Sequence, residues 1–308
     1  THAPVHLDIA FDRTCNFKCS YCGPQNSSLW AEEIAQHGEI KGIPAFGAKE
    51  PIPNREVNPY NDAFWKWWDS GLKHSLQHLT ITGGEPLLSK EFWKVLDKVQ
   101  REKLSMTVMV NTNLCPPDKI FDRFMNRIKN WDPEKFRIST SIESIKEKAE
   151  YSRFGLDYNK FMLNMHRVLT ETNMKVEVNL TNNALSFTSL TDLVQELTKF
   201  KIKYGAKRVT LHSNDVTWPS HLNLRILPAE LRNVEVIKFK RFMKMNKDSF
   251  SKTEKYKFQR TLELSLVEYE DVDKFRVQFL TFIKEYDKRR NLNFDKTFPE
   301  IAKFKDKL

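Results

Sequence analysis

The sequence predicts an α/β protein in which six parallel strands form an open, partial (β/α)6 barrel, followed by a mainly helical C-terminal extension. Three observations carry this expectation. Six short strand-like segments alternate with helix-like ones through the first two thirds of the chain, as βαβ units do. Several of these strands alternate apolar with polar residues instead of running continuously apolar, which leaves one sheet face wet or ligand-filled. Beyond Pro219 the strand pattern stops and helical periodicity takes over. The 308 residues, 40% hydrophobic and 29% charged, are enough for a soluble globular protein with a substantial core.

The elements follow in order. Val5, Leu7, Ile9 and Phe11 alternate with His6, Asp8 and Ala10, a period-two strand. A cysteine-rich loop comes next, then a short helix over 25–37. Residues 38–59 carry Gly38, Gly42, Pro44, Gly47, Pro51, Pro53 and Pro59 and read as an irregular insertion. Residues 60–72, with Phe64, Trp65, Trp67 and Trp68, look helical, and the tryptophans read mainly as core packing for the insertion. Strands are expected at 77–82, 105–111, 136–143, 175–181 and 207–212. Helices are expected near 90–102, 118–129, up to about 171, and near 188–200. Pro228 can start a helix over 229–245, and Phe275, Phe279, Ile283 and Tyr286 mark another. The division is therefore a barrel over 1–215 and an extension over 216–308.

The alternation within strands matters for function. Ser139, Ser141 and Glu143 alternate with Ile138 and Ile142, Glu177 and Asn179 with Val176 and Val178, and Thr210 and His212 with Val209 and Leu211. The apolar set can pack under helices, and the polar set then lines an interior that holds a polar ligand. A closed eight-stranded barrel fills its interior with branched apolar residues instead. An edge sheet with one solvated face is the plainer alternative.

Composition excludes several classes. No run of about 18 apolar residues exists, so no spanning helix and no membrane partner are expected. The first ten residues show no basic stretch leading into an apolar core, so no signal peptide is expected. Of four cysteines, three fall within eight positions, a grouping that suits metal better than disulfides. A reducing cytoplasm is the expected compartment. Residues 201–308 hold 25 Lys/Arg against 15 Asp/Glu, the whole of the chain's formal charge of +10. Segments such as Lys238, Lys240, Arg241, Lys244 and Lys247 read as a solvated helix face. A nucleic acid or an acidic partner is the alternative, though no nucleic-acid motif accompanies them.

The chemistry sits in two motifs. Cys15, Cys19 and Cys22, spaced C-x3-C-x2-C, directly follow the first strand, where ligand sites form in parallel sheets. Thiolates take zinc or iron–sulfur clusters. A structural zinc wants four ligands, whereas a [4Fe–4S] cluster on three cysteines leaves one iron open. The second motif, Thr82-Gly83-Gly84-Glu85-Pro86, follows the second strand, and its glycines let backbone approach a ligand closely.

Together these motifs resemble the radical S-adenosylmethionine (radical SAM) superfamily. The resemblance implies a six-stranded partial barrel and a [4Fe–4S] cluster on Cys15, Cys19 and Cys22. It implies SAM chelating the open iron, Tyr21 near the adenine, and Gly83, Gly84 and Glu85 near the SAM amine. In related enzymes that mature peptides and sulfatases, a strand-four serine and acidic residue meet the ribose region and a following arginine reaches the carboxylate. Ser141, Glu143 and Arg153 match that pattern here, and Asn113 and Asn179 are looser candidates. The segments Trp218-Pro219 through Arg225-Ile226-Leu227-Pro228, Asp287 to Arg290 and Phe298-Pro299-Glu300 look like twitch-type radical SAM proteins, including ones encoded by bacteriophages. The cytoplasm of an infected bacterial host then fits the compartment. No cysteine follows Cys115, a departure from relatives with auxiliary clusters, so a single cluster is expected.

The implied activity is reductive cleavage of SAM to a 5′-deoxyadenosyl radical that abstracts hydrogen from a substrate. The substrate class suggested by the twitch and SPASM relatives is a peptide or protein side chain, with a nucleoside or RNA as runner-up. A flavodoxin- or ferredoxin-like electron donor is the expected partner. Glu177 and His212 are candidate acid–base residues, or polar supports of the ligand. Cys115 is a candidate hydrogen donor, or a buried inert thiol. A non-catalytic cluster- or zinc-containing binding module is the rival from another class.

Overall fold

A computed structural model describes residues 3–47 and 58–308; the middle of the irregular insertion expected over 38–59 lies outside the described residues. Six strands form one sheet: β1 (His6–Ala10), β2 (His78–Thr82), β3 (Thr107–Thr112), β4 (Phe136–Ser141), β5 (Lys175–Asn182) and β6 (Val209–Asp215). They pair in chain order and all in parallel, with β1 and β6 as the two edges. The sheet is thus an open partial barrel of the expected kind.

The register explains why the strands alternate. Ile9, Ile81, Val110, Ile138, Val176 and Val209 align in one row across all six strands. All but Ile9 are buried, and they pack under the helices as β-branched residues do on a pleated surface. The next row on the opposite face is polar: Asn111, Ser139, Glu177 and Thr210 stand side by side, followed by Ser141, Asn179 and His212.

Amphipathic helices supply the outer layer. Between β1 and β2 lie α1 (Ser28–His37), capped by the Ser27 side chain, and α2 (Pro59–Trp67), capped by Asn58. Then come α3 (Lys90–Arg101), α4 (Asp118–Ile128), α5 (Lys146–Ser152), α6 (Tyr158–Glu171) and α7 (Leu190–Tyr204). In α3, Phe92, Trp93, Val95, Leu96 and Val99 form the buried stripe. The helix expected over 60–72 changes character at Trp68, where a wider π-turn over Trp68–Leu72 accommodates Gly71 at φ 132. Trp65 and Trp68 join a core cluster with Phe11 and Phe64. Trp67 does not: it is 43% exposed, because its helical phase points away from that cluster.

The C-terminal extension contains α8 (Ala229–Met245), α9 (Lys252–Ser265) and α10 (Val272–Arg290). Sequence patterning leaves α9 unassigned, yet it lies along the open edge of β6. Its Glu254 completes a capping box with Ser251. The same carboxylate accepts from the Leu211 amide at 2.9 Å and from Lys201 Nζ, while Lys201 also donates to the Val209 carbonyl at 2.9 Å. A buried ion pair thereby occupies the unpaired side of the last strand. Helix α10 returns to the start of the chain, where the Tyr286 hydroxyl donates to the carbonyls of Lys18 (3.1 Å) and Tyr151 (2.9 Å). No helix among the described residues is long and apolar enough to cross a membrane.

Candidate active site

The loop after β1 is held at nearly every turn by its neighbours. Trp30 Nε1 donates to the Cys19 carbonyl at 2.8 Å, the Ser27 hydroxyl to the Phe17 carbonyl at 2.7 Å, and the Cys15 amide to Ser28 Oγ at 3.3 Å. Lys18–Cys19 forms a two-residue antiparallel ladder with Arg153–Phe154. Beneath it, Glu33 pairs with Lys18 (2.6 Å) and Arg290 (2.9 Å), and the Arg290 guanidinium lies over the rings of Tyr286 (3.9 Å) and Trp30 (4.3 Å). The C-terminal extension therefore braces the cysteine loop.

Gly83 and Gly84 have a more local reason to be glycine than approach to a ligand. A Cβ on Gly84 would stand 2.3 Å from the Thr14 carbonyl oxygen and 2.5 Å from that of Arg13; one on Gly83, at φ +124, would stand 2.5 Å from that of Asp12. The two loops meet backbone to backbone, with the Gly84 amide donating to the Asp12 carbonyl (3.2 Å) and the Glu85 amide to that of Thr14 (2.7 Å). The Glu85 carboxylate faces into the protein, accepting from the Leu87 amide (3.0 Å), the Thr112 hydroxyl (2.7 Å) and the Asn113 amide (2.6 Å). Burial pushes its carboxyl up to about 7. Its side chain thus ties the loop after β2 to the end of β3.

These loops enclose a cavity of about 170 Å³ lined by Cys15, Cys19 and Cys22, by Gly83, Gly84 and Asn113, and by Ser141 and Arg153. Of the next three candidates only Arg153 lines the cavity; Tyr21 and Glu143 stand behind it, the Tyr21 hydroxyl donating to Glu143 Oε2 (3.2 Å), while Arg153 Nη1 donates to the Tyr21 oxygen (3.0 Å) and to the Ser141 carbonyl (2.7 Å). Burial pushes the Glu143 carboxyl up, and the Arg153 charge 3.5 Å away opposes it.

The other candidates lie apart from that cavity lining. Glu177, Asn179 and His212 are half-buried on the inner face of β5 and β6. Asn179 donates to Ser139 Oγ at 2.7 Å. His212 Nδ1 lies 3.4 Å from Glu177 Oε1 and 2.9 Å from Lys257 Nζ. Burial holds the His212 ring below its ordinary value; Glu177 opposes this and Lys257 adds to it. Lys257 escapes the sequence reading because α9 does, although Ser251-x-x-Glu254 is a readable helix start. Cys115 is buried with its thiol 3.7 Å from the Asp157 carbonyl, and burial pushes it up to about 12. It does not line the cavity.

The three clustered thiols suit a polynuclear centre. Among the described residues no three His, Cys, Asp or Glu side chains converge as the ligands of one ion do. Ligands of an iron–sulfur cluster bind different irons and need not converge. All three cysteines face one cavity, and burial pushes Cys15 up to about 12, so a cluster bound there would have to displace its proton.

No family model matches the sequence. The chain is 20% identical over 174 residues to GTP 3',8-cyclase of Aliarcobacter butzleri (strain RM4018), covering 56% of this chain and 45% of that enzyme. It is 22% identical over 179 residues to GTP 3',8-cyclase of Sulfurimonas denitrificans (strain ATCC 33889 / DSM 1251), covering 57% and 46%. These matches support the radical SAM superfamily. The chain spans less than half the length of either curated relative it matches. The fold resembles the crystal structure of Streptococcus suis SuiB, with a TM-score of 0.50 and 14% identity over 79% of this chain and 47% of that one. A SuiB structure bound to S-adenosylmethionine gives a TM-score of 0.49 at 14% identity, covering 79% and 48%.

Proposed function

We propose that this chain is a radical SAM enzyme with a single [4Fe–4S] cluster, acting on a peptide or protein side chain. The observation that carries the reading is the meeting of the three-cysteine loop, the Gly83-Gly84 loop and Arg153 around one small cavity. Cys15, Cys19 and Cys22 would hold the cluster. When bound, cluster and SAM supply a 5′-deoxyadenosyl radical that takes hydrogen from a substrate C–H bond.

The chain's own residues bind, orient and exclude water. Arg153 offers a fixed cation to the carboxylate of SAM, and its buried contacts with Tyr21, Glu143 and the Ser141 carbonyl keep it aimed. Asn113 and the backbone of Gly83 and Gly84 give polar edges for the amine. Further along the inner wall, Glu177 and His212 would serve a substrate as an acid–base pair, and Lys257 beside them favours the neutral imidazole. Electrons would come from a flavodoxin- or ferredoxin-like donor. A twitch-type relationship, phage-encoded proteins included, rests on the C-terminal segments quoted above.

The cyclase matches favour one second reading, a nucleotide or nucleoside substrate. Anaerobic reconstitution separates the readings. About four irons per chain, a cluster signal in electron paramagnetic resonance and 5′-deoxyadenosine formed on reduction with SAM are expected. All three should vanish in the C15A/C19A/C22A variant. Zinc binding without SAM binding would sink the proposal. Deoxyadenosine formation stimulated by nucleotides and not by peptides would move the substrate to the second reading.

A further inference from the structure

A second hollow lies outside the barrel, between α8 and α9. Its volume is about 490 Å³, within the range of ligand-binding clefts. The floor is apolar: Phe239, Phe258 and Leu262 are buried, and Met243 and Leu266 complete it. Lys240, Lys244 and Lys247 rim it on one side and Lys255 on the other, while Glu263, held by Gln259 at 2.7 Å, is its one carboxylate. Among the described residues none of the four lysines makes an ion pair or a side-chain hydrogen bond, although Lys238 on the same helix pairs with Asp192 at 2.7 Å. Another hollow, of about 740 Å³, has no such floor; its walls are polar and charged side chains such as Asp122 and Arg127.

We propose that this groove docks an acidic, amphipathic helical segment of a partner protein. Unpaired lysines above buried apolar surface match an occupant whose one face is apolar and whose flanks are anionic. The spacing 240, 244, 247 sets three cations along about 10 Å of one helix face. That row is longer than a single carboxylate or phosphate headgroup, and an extended line of Asp and Glu matches it. A floor of Phe, Met and Leu offers nothing to a phosphate backbone, which separates this surface from a nucleic-acid site. The groove and the cysteine cavity have no residue in common, so the proposal stands or falls apart from the radical chemistry.

The test is fluorescence anisotropy with the full chain and four labelled probes. The first is a peptide about four helical turns long with Leu and Phe on one stripe and Glu elsewhere. The second carries Lys in place of Glu, the third keeps composition but scrambles the stripe, and the fourth is a single-stranded RNA of matched charge. The acidic amphipathic peptide should bind saturably and at least about tenfold tighter than the other three. It should protect residues 240–247 and 255–266 from hydrogen exchange. The K240E/K244E/K247E variant should lose at least about tenfold in affinity with an unchanged thermal transition, and Met243→Ser should weaken binding without altering the charge dependence. Lack of saturation, RNA or scrambled peptide binding as tightly, or an unaffected triple variant would each overturn the proposal.

Discussion

After β1 and β2 the chain is held by backbone. Two loops lie within hydrogen-bond distance of each other, a Cβ on either glycine would collide with main-chain oxygens, and the Glu85 carboxylate is fully engaged. Along β5 and β6 the inner face is held by side chains, with half-buried Glu177, Asn179, His212 and Lys257 meeting their neighbours side chain to side chain at 2.7 to 3.4 Å. A cofactor of fixed shape can be met by a rigid backbone frame. A substrate that varies between related enzymes is better met by exchangeable side chains. On the proposed reading, the difference between the two walls is the one that this division of labour would require.

The largest expected effect tests the rigid wall. Gly84→Ala forces a methyl group against the Thr14 and Arg13 carbonyls. It should lower stability in urea by about 3 kcal/mol and reduce iron loading in reconstitution. Wild-type behaviour would show that the loops can part and that the wall is not rigid. Next comes the brace beneath it. Arg290→Met keeps the stem but removes the charge facing buried Glu33, which retains Lys18. A loss of about 2 kcal/mol is expected in the same titration; no change would mean the C-terminal helix is not a brace.

A third prediction concerns the seam where α10 meets the segment after β6. His221 is buried against Phe282 and Phe46 with ring centroids 4.8 and 6.1 Å away, and burial lowers it to about 3. The fold holds the ring neutral, whereas the unfolded chain takes up a proton below its ordinary 6.5. Stability from this site is therefore present above pH 6.5 and lost as pH falls toward 3. Between pH 6.5 and 5 the loss should reach about 2 kcal/mol. Urea titrations at those two pH values should show it in the wild type and not in His221→Phe. An identical acid dependence in both would remove His221 from the account. The smallest effect belongs to the side-chain wall: Glu177→Gln should alter stability by less than about 0.5 kcal/mol while shifting the pH profile of turnover. A stability loss as large as that of Gly84→Ala would erase the contrast between the walls.

The sheet was legible because its apolar row, Ile9 to Val209, repeats with period two in every strand. The cysteine loop was legible because thiols grouped so closely have few other uses. Helix α9 was not, and its burial says why. It buries Phe258 and Leu262 but also Glu254, Thr261 and Ser265, since it covers a strand edge with polar groups and not with an apolar stripe. Lys257 was hidden with it. The roles of Gly83 and Gly84 were half legible: the motif announces a close approach, but only tertiary structure reveals that the thing approached is the backbone of residues 12–14.

The Lys201–Glu254 pair has one more consequence. An exposed strand edge is a template onto which another chain can add, by domain swapping or aggregation. An incomplete barrel has such an edge by construction. Along β6 the outward Leu211 amide and Val209 carbonyl are already bonded, to Glu254 and to Lys201. A visiting strand finds those positions taken, so the barrel can stay open at its mouth to a ligand without opening its last strand to a neighbour.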